Sequence, residues 1–340
     1  MHFSDTRKLG KTDLDLSIIG FGGAPLGGLF DAVDEDEAKA TVTAGYDVGM
    51  RYFDTAPFYG YGLSEHRMGE VLRRHPRNEF VLSTKVGRLL NPRDPSEIFM
   101  DNWAESLPFE SVYAYGYDAT MRSVEDSYQR LGTNQIDIAY IHDIGAFTHG
   151  EEAHPALFKE AIDGGFRALD ELRSAGVIKA IGMGVNEWEV CEQALRAADF
   201  DCFLLAGRYT LLEQESLNSF LPLCEERGVG IVIGGAYNSG ILATGAVEGA
   251  TFNYAPAPKD VMAKVAGIEA ICARHGVSLK AAALQFPLHH PLVASVLIGS
   301  RSRAELEENL ALSQDAIPLD FWRELKREGL MREDAYTPEA

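Results

Sequence analysis

The stretch Arg51-Tyr-Phe-Asp-Thr-Ala-Pro-Phe-Tyr-Gly60 ends a short apolar run in an acid, Asp54, and sets Tyr59 five residues further on. Two other apolar runs end in functional groups: Phe80-Val-Leu-Ser-Thr-Lys85 in a lysine and Ile136-Asp-Ile-Ala-Tyr-Ile-His142 in a histidine. Together these types make a proton-transfer site. A free tyrosine titrates near 10, too high for easy exchange at neutral pH. A lysine cation beside it favours the phenolate and lowers that value. An aspartate would hold the lysine charged and in place, and a histidine would hydrogen-bond and orient a substrate oxygen. With a hydride carrier alongside, the result is a carbonyl–alcohol oxidoreductase. Singly, each residue has a plainer role: Asp54 as a turn or cap acid, Tyr59 as a loop anchor, Lys85 as a surface ion-pair partner, His142 as a satisfied polar group before Asp143. All four at one place by chance is much less expected.

Their position depends on the elements that carry them. Short apolar runs fall at 16–22, 51–54, 80–85, 136–142, 177–183, 201–206, 229–234 and 293–298. They are continuous rather than alternating, as in parallel strands covered on both faces. Helical patterns lie between them, at 35–49, 64–74, 119–131 (with Asp118 as cap), 157–175, 187–198, 215–227, 259–275, 278–286, 303–312 and 319–328. Eight strands, each followed by helix, predict an α/β (β/α)8 TIM barrel with long βα loops. No linker is evident, so residues 1–340 read as a single domain. Residues 1–14 predict a short hairpin plugging the barrel bottom, and the tail from about 331 is expected to be loose. In such a barrel Asp54, Lys85 and His142 end the second, third and fourth strands, about 4.8 Å apart from neighbour to neighbour. A doubly wound sheet is the runner-up, but Gly20-Phe-Gly-Gly-Ala-Pro25 and Gly182-Met-Gly-Val-Asn-Glu187 both fail the dinucleotide fingerprint at its third glycine.

Composition narrows the partners. With 31 basic and 51 acidic side chains the formal charge is 31 − 51 = −20. Such a surface repels nucleic acid and anionic lipid. Cys191, Cys202, Cys224 and Cys272 form no CxxC pair, which suits reduced thiols in a cytoplasmic protein. The N-terminus lacks the apolar stretch of a signal peptide, and no run approaches a membrane span. His289-His-Pro291 precedes the last strand, away from the catalytic mouth, and reads as structural; no metal is expected.

Several motifs resemble the aldo-keto reductase family across nearly the whole chain: Leu9-Gly-Lys, Phe53-Asp-Thr-Ala-Pro-Phe-Tyr-Gly60, Ser83-Thr-Lys85, Ile141-His142, Gly184-Val-Asn186, Ile298-Gly-Ser-Arg301 and Glu308-Asn309. The resemblance implies Asp54, Tyr59, Lys85 and His142 as a catalytic tetrad with Tyr59 the acid/base. It also implies NAD or NADP held across the barrel mouth without a Rossmann domain. Expected cofactor contacts are Gly23 and Ala24 after the first strand, Asp54, Asn186 at the nicotinamide carboxamide, the loop Tyr237, Asn238, Ser239, Gly240 and Leu242 along the pyrophosphate, and Glu308 and Asn309 at the adenine.

The residues after the last strand support this. Gly299-Ser300-Arg301-Ser302-Arg303 runs into a helix that opens with a capping box, Ser302-Arg-Ala-Glu305. A helix start with glycine and two arginines suits an anion. Arg301 and Arg303 favour a 2′-phosphate while Glu305 disfavours one, leaving NAD against NADP open.

Residues 88–117 form a long βα loop carrying Phe99, Trp103, Phe109, Tyr113, Tyr115 and Tyr117. Trp103 and Tyr115 are expected to join Tyr59 and His142 at a sugar or heteroaromatic ring; a packing loop or homo-oligomer contact is equally consistent. Gly22-Gly-Ala-Pro-Leu-Gly-Gly28 and Tyr117-Asp-Ala-Thr-Met-Arg-Ser-Val-Glu-Asp-Ser127 resemble the branch containing L-fucose and D-threo-aldose 1-dehydrogenases and pyridoxal 4-dehydrogenase. That points first to oxidation of an aldose at C1, then to a pyridoxal dehydrogenase or an NADPH-dependent aldehyde or ketone reductase. From other classes stand a Schiff-base lyase using Lys85 and a cofactor-sensing regulatory subunit.

Overall fold

The computed structural model describes residues 2–338. Eight strands close a parallel barrel: β1 (Ile19–Gly22), β2 (Tyr52–Asp54), β3 (Val81–Val86), β4 (Ile138–His142), β5 (Ala180–Val185), β6 (Cys202–Ala206), β7 (Gly230–Gly234) and β8 (Val293–Gly299). Each strand pairs with its neighbours in chain order, and β8 closes on β1. The predicted fold and strand order stand. The continuous apolar runs have the expected cause: β2, β4, β5 and β7 are buried at every residue, with one face inside the barrel and the other under helices.

Local chemistry fixes the helix ends. Asp34 caps the helix Glu35–Asp47 by accepting from the N–H groups of Asp36 and Glu37. The helix expected to follow Asp118 begins instead at Tyr117, with Gly116 at the cap. The pattern at 157–175 is longer than expected: helix runs from Ala146 to Glu160, through a π-helical turn at Ala161–Phe166, and on as Arg167–Ser174.

The run 16–22 divides. Asp15–Ser17 pairs antiparallel with Thr6–Lys8, and only Ile19–Gly22 enters the barrel. Leu9, Leu14 and Leu16 of that hairpin pack with Tyr52, Tyr140 and Val232 from inside the barrel, plugging its bottom. The long segment after β3 is a second hairpin, Arg88–Pro92 with Phe109–Tyr113, standing over the other end. Its prolines discourage helix, and the sequence reading assigned it no strand.

The tail from about 331 was expected to be loose; residues 331–335 are tied down, and 339–340 lie outside the described residues. Met331 and Ala335 are buried, the Arg332 N–H donates to Gln214 Oε1 at 3.0 Å, and Lys326 Nζ donates to the Ala335 carbonyl at 2.7 Å. An apolar residue at each of these two positions anchors an otherwise polar segment.

His289 and His290 sit at the end of the barrel opposite the site. The Leu292 N–H donates to His290 Nδ1 at 3.2 Å, which requires a neutral ring. Burial lowers both imidazoles from 6.5 to about 4. Below 6.5 the unfolded chain therefore binds protons that the folded chain does not, so this contribution to stability is complete above about 6.5 and is lost as pH falls toward 4. Denaturant midpoints should fall over that window, and the fall should be shallower in His290→Gln than in the parent. Parallel curves for the two proteins would contradict this.

Candidate active site

The register of β2, β3 and β4 sets the site. Asp54 pairs with Ser83 across β2–β3, and Lys85 with Tyr140 across β3–β4. Alternation sends Ser83 and Lys85 into the barrel, while Thr84 between them turns outward and donates to the buried Glu65 at 2.7 Å. Glu65 is in turn paired with Arg130. Asp54 and Lys85 are 2 % and 1 % exposed. Lys85 Nζ donates to Asp54 Oδ2 at 2.6 Å and to the Thr55 carbonyl at 2.8 Å; Ser83 Oγ donates to Asp54 Oδ1 at 2.7 Å.

Tyr59 is carried by the turn after β2. Gly60, Tyr61 and Gly62 there all have left-handed backbone, with φ of 60°, 51° and 98°. The turn is held from below: the Thr55 and Ser64 hydroxyls lie 2.8 Å apart, and Ser64 donates to the Gly23 carbonyl at 2.7 Å. Lys85 Nζ lies 4.7 Å from the centroid of the Tyr59 ring. The Tyr59 and His142 rings meet edge to face with centroids 5.9 Å apart. All four residues expected at the mouth are brought together.

Their electrostatics differ from the sequence expectation in one respect. Burial pushes the Tyr59 phenol above 10; Lys85 pulls it down, as expected, but does not win. Burial also opposes the Lys85 ammonium, yet Asp54 and Tyr59 outweigh it and hold the lysine above its ordinary value. Burial likewise pushes the Asp54 carboxyl up against Lys85 and Ser83. Burial lowers His142 to about 3, so it is a neutral imidazole that can share a hydrogen bond with a substrate oxygen. A lysine held protonated by two acceptors has no free pair to attack a carbonyl, which speaks against the Schiff-base alternative.

A cleft of about 360 Å³ opens above this group. Ala24, Tyr59, Lys85, Trp103, His142 and Asn186 line it, as do Phe58, Arg88, Tyr113, Asp143, Phe147, Asn253 and Tyr254. Arg88 and Asp143 were not singled out in the sequence. They form a buried ion pair at 2.6 Å, and Asp143 lies 3.5 Å from His142 Nε2. The Arg88 guanidinium is held between the Phe58 and Tyr113 rings, 3.7 and 4.2 Å from their centroids. The one sequence signal was position: Asp143 follows His142, and Arg88 lies three residues beyond Lys85. Asn253 and Tyr254 form the turn of a small hairpin, both at positive φ, and that conformation lifts Tyr254 over the cleft.

Tyr115, expected at the substrate, is not there. It is 1 % exposed and its hydroxyl donates to the His142 carbonyl at 3.0 Å, so it braces β4 from behind. Leu242, expected along the cofactor, is wholly buried in the core, and its N–H donates to the Tyr237 carbonyl. Asn238 is also turned inward, its amide bonded to the Gly207 carbonyl and Thr210.

The remaining expected cofactor residues lie around the mouth. Asn186 Oδ1 receives a long 3.4 Å contact from the Tyr254 hydroxyl. The Gly23 N–H donates to the Asp54 carbonyl, Ser239 and Gly240 take left-handed turns, and Tyr237 donates to Asn309 at 2.9 Å. Asn309 and Ser300 are buried together beside Gly299 at the end of β8. An amide on the cleft wall, a glycine–serine turn and a helix start with arginines fit the carboxamide and phosphate groups of a nicotinamide dinucleotide. The arginines are already engaged, however. Arg301 pairs with Asp31 and Glu305, Arg303 with Glu307, and Glu308 with Lys280. Ser302 caps the Glu305 N–H as expected, but the Glu305 carboxylate reaches Arg301 rather than closing the box.

The sequence pattern of the Aldo/keto reductase family matches residues 18–327. The chain is 46% identical to a pyridoxal 4-dehydrogenase from Microbacterium luteolum, over 96% of this chain and 98% of the relative. It is 40% identical to a D-threo-aldose 1-dehydrogenase from a Pseudomonas species, over 92% and 94%. An aldo-keto reductase from Bacillus halodurans, solved in its holo form, shares the fold with a TM-score of 0.74, covering 98% of each chain at 24% identity. With the barrel and the converging Asp54, Tyr59, Lys85 and His142 described above, these likenesses carry one conclusion: this chain belongs to the aldo/keto reductase family and is an oxidoreductase working between carbonyl and alcohol with a nicotinamide cofactor.

Proposed function

We propose that the protein oxidises a cyclic hemiacetal to a lactone, with Tyr59 as the acid/base and NAD as the preferred cofactor. The observation that carries this reading is the cleft itself, where Tyr59 and His142 converge beneath aromatic walls and a charged pair. The hemiacetal hydroxyl would sit between the Tyr59 oxygen and His142 Nε2. Tyr59 takes its proton as the C–H bond breaks. A bound oxidised nicotinamide supplies the hydride acceptor. His142, neutral throughout, fixes the oxygen, and the Lys85 ammonium offsets the negative charge of the Tyr59 phenolate that accepts the proton.

A flat heteroaromatic hemiacetal fits the walls best. Trp103 and Phe147 line the cleft, and the Arg88–Asp143 pair gives it a charged edge for a ring hydroxyl. Pyridoxal has that chemistry, since its aldehyde closes on the neighbouring hydroxymethyl group. An aldose hemiacetal is the second reading, favoured by Asp143, Asn102 and Asn253 as partners for sugar hydroxyls. The four unpaired, buried cysteines suit a cytoplasmic setting.

The cofactor preference follows from the carboxylates around the two arginines after β8. Asp31, Glu305 and Glu307 neutralise the two arginines, and Glu37 accepts from the Arg303 N–H. A 2′-phosphate would have to displace these acids or lie among them.

Two outcomes are expected. Pyridoxal and D-threo-aldoses should be oxidised to lactones in the presence of NAD, and Tyr59→Phe should lose about 10²–10⁴-fold in kcat while still binding cofactor. No turnover of either class with either cofactor, or full activity in Tyr59→Phe, would contradict the reading. Titrations followed by tryptophan fluorescence should show NAD binding at least tenfold tighter than NADP, about 1.4 kcal/mol. The gap should narrow in the double variant Asp31→Asn, Glu305→Gln. Equal or tighter binding of NADP by the parent would refute the cofactor assignment.

A further inference from the structure

Beneath the site a line of hydroxyls runs into the barrel. Tyr140 and Tyr52 hydroxyls lie 3.1 Å apart, Tyr52 and Ser83 hydroxyls 3.1 Å apart, and Ser83 lies 2.7 Å from Asp54 Oδ1. Tyr52, Ser83 and Tyr140 are wholly buried. Proton counting gives the line one direction. An ionised Asp54 can only accept, so Ser83 spends its single proton there. The contact between Ser83 and Tyr52 has a geometry that suits Ser83 as donor, but with its proton held at 2.7 Å by Asp54 Oδ1 Ser83 is left to accept from Tyr52 at 3.1 Å, and Tyr52 from Tyr140. Each bond polarises the next, so the carboxylate is supported by more than the one donor that touches it.

The backbone makes room for this line. A Cβ at Gly20 of β1 would lie 2.8 Å from the Tyr52 ring, and one at Gly182 of β5 would lie 2.3 Å from the Tyr140 ring. Two strands forgo side chains so that two phenols fit where barrels usually place branched aliphatics. Bulk alone does not explain that, since phenylalanine fills the same space without a polar atom to satisfy.

We propose that Ser83, and through it Tyr52 and Tyr140, are positioning residues whose one-way hydrogen-bond line keeps the buried Asp54 ionised and so holds the Lys85 ammonium beside Tyr59. The proposal rests on Tyr59 being the acid/base. The other titratable or charged groups facing the pair are His142 and Asp143 at the end of β4, Arg88 beyond β3, and Cys202 of β6 beside Tyr140. None of these donates to Asp54 in the hydrogen bonds described above.

The test is the pH profile of kcat/KM for hemiacetal oxidation, which needs the base form of Tyr59. Losing a donor to Asp54 weakens its charge, weakens the pull of Lys85 on Tyr59, and moves the rising limb to higher pH. Ser83→Ala should shift the limb upward by about one unit, Tyr52→Phe by less, and Ser83→Thr should return it toward the parent. NAD affinity, by fluorescence titration, should stay within about twofold, because none of these groups lines the cleft. A limb at the parental position in Tyr52→Phe and Ser83→Ala, whatever the fall in kcat, would overturn the proposal. If Ser83→Ala does not fold, the isosteric Tyr52→Phe decides alone. Tyr59→Phe run alongside separates the two ideas: its full activity would sink the acid/base assignment, whereas an inactive Tyr59→Phe with unmoved limbs would sink only the positioning line.

Discussion

The ion pair between Asp54 and Lys85 is the constraint around which this molecule is arranged. Both groups are nearly sealed from water, and burying two charges costs several kcal/mol each unless their bonds are made good. Here they are: the ammonium has Asp54 and the Thr55 carbonyl, and the carboxylate has Lys85 and Ser83. That requirement reaches outward. Asp54 and Ser83 must be in register across β2 and β3, Lys85 must point inward, and the turn bearing Tyr59 must fold back over the lysine. Thr55, Ser64 and Gly23 fix that turn, so the catalytic geometry is built on strands and on one braced loop rather than on a mobile lid.

The same pair accounts for the division of labour at the mouth. Burial keeps His142 a neutral imidazole and makes Tyr59 a reluctant acid. Only the lysine offsets the second effect, which is why its charge has to be guaranteed. On the far side of the cleft the logic is reversed. The arginines after β8 could have formed a strong anion site, but surrounding carboxylates hold them. An overall charge of −20 is thus not uniform background; some of its carboxylates are placed against these two arginines.

The sequence was most legible where one local signal has one structural cause. Continuous apolar runs mark doubly buried strands, and the four tetrad residues sit at or just beyond strand ends, so barrel and tetrad followed from order alone. Helices with clear end signals, such as 259–275 between Pro258 and Gly276 and 303–312 after Ser302, came out at their observed bounds. What stayed hidden depends on contacts between distant segments. Arg88 looks like any loop arginine until the hairpin places it between Phe58 and Tyr113. Tyr115 was expected at the substrate because its loop is aromatic, yet folding the hairpin turns it under His142. Leu242 and Asn238 face inward because the loop after β7 curls over the core, which no pattern of residue types announces. The tail misled for a similar reason: its charges suggested solvent, and two small anchors, Met331 and Ala335, outweighed them.

A lysine charge, fixed by Asp54, is what would make proton transfer at Tyr59 possible. Single-turnover hydride transfer in Lys85→Met, followed by the absorbance of reduced nicotinamide with cofactor binding measured separately by fluorescence, tests it most directly. Cofactor binding should stay near the parental value while hydride transfer slows at least about 10²-fold. Hydride transfer at the parental rate in a folded, cofactor-bound Lys85→Met would contradict it.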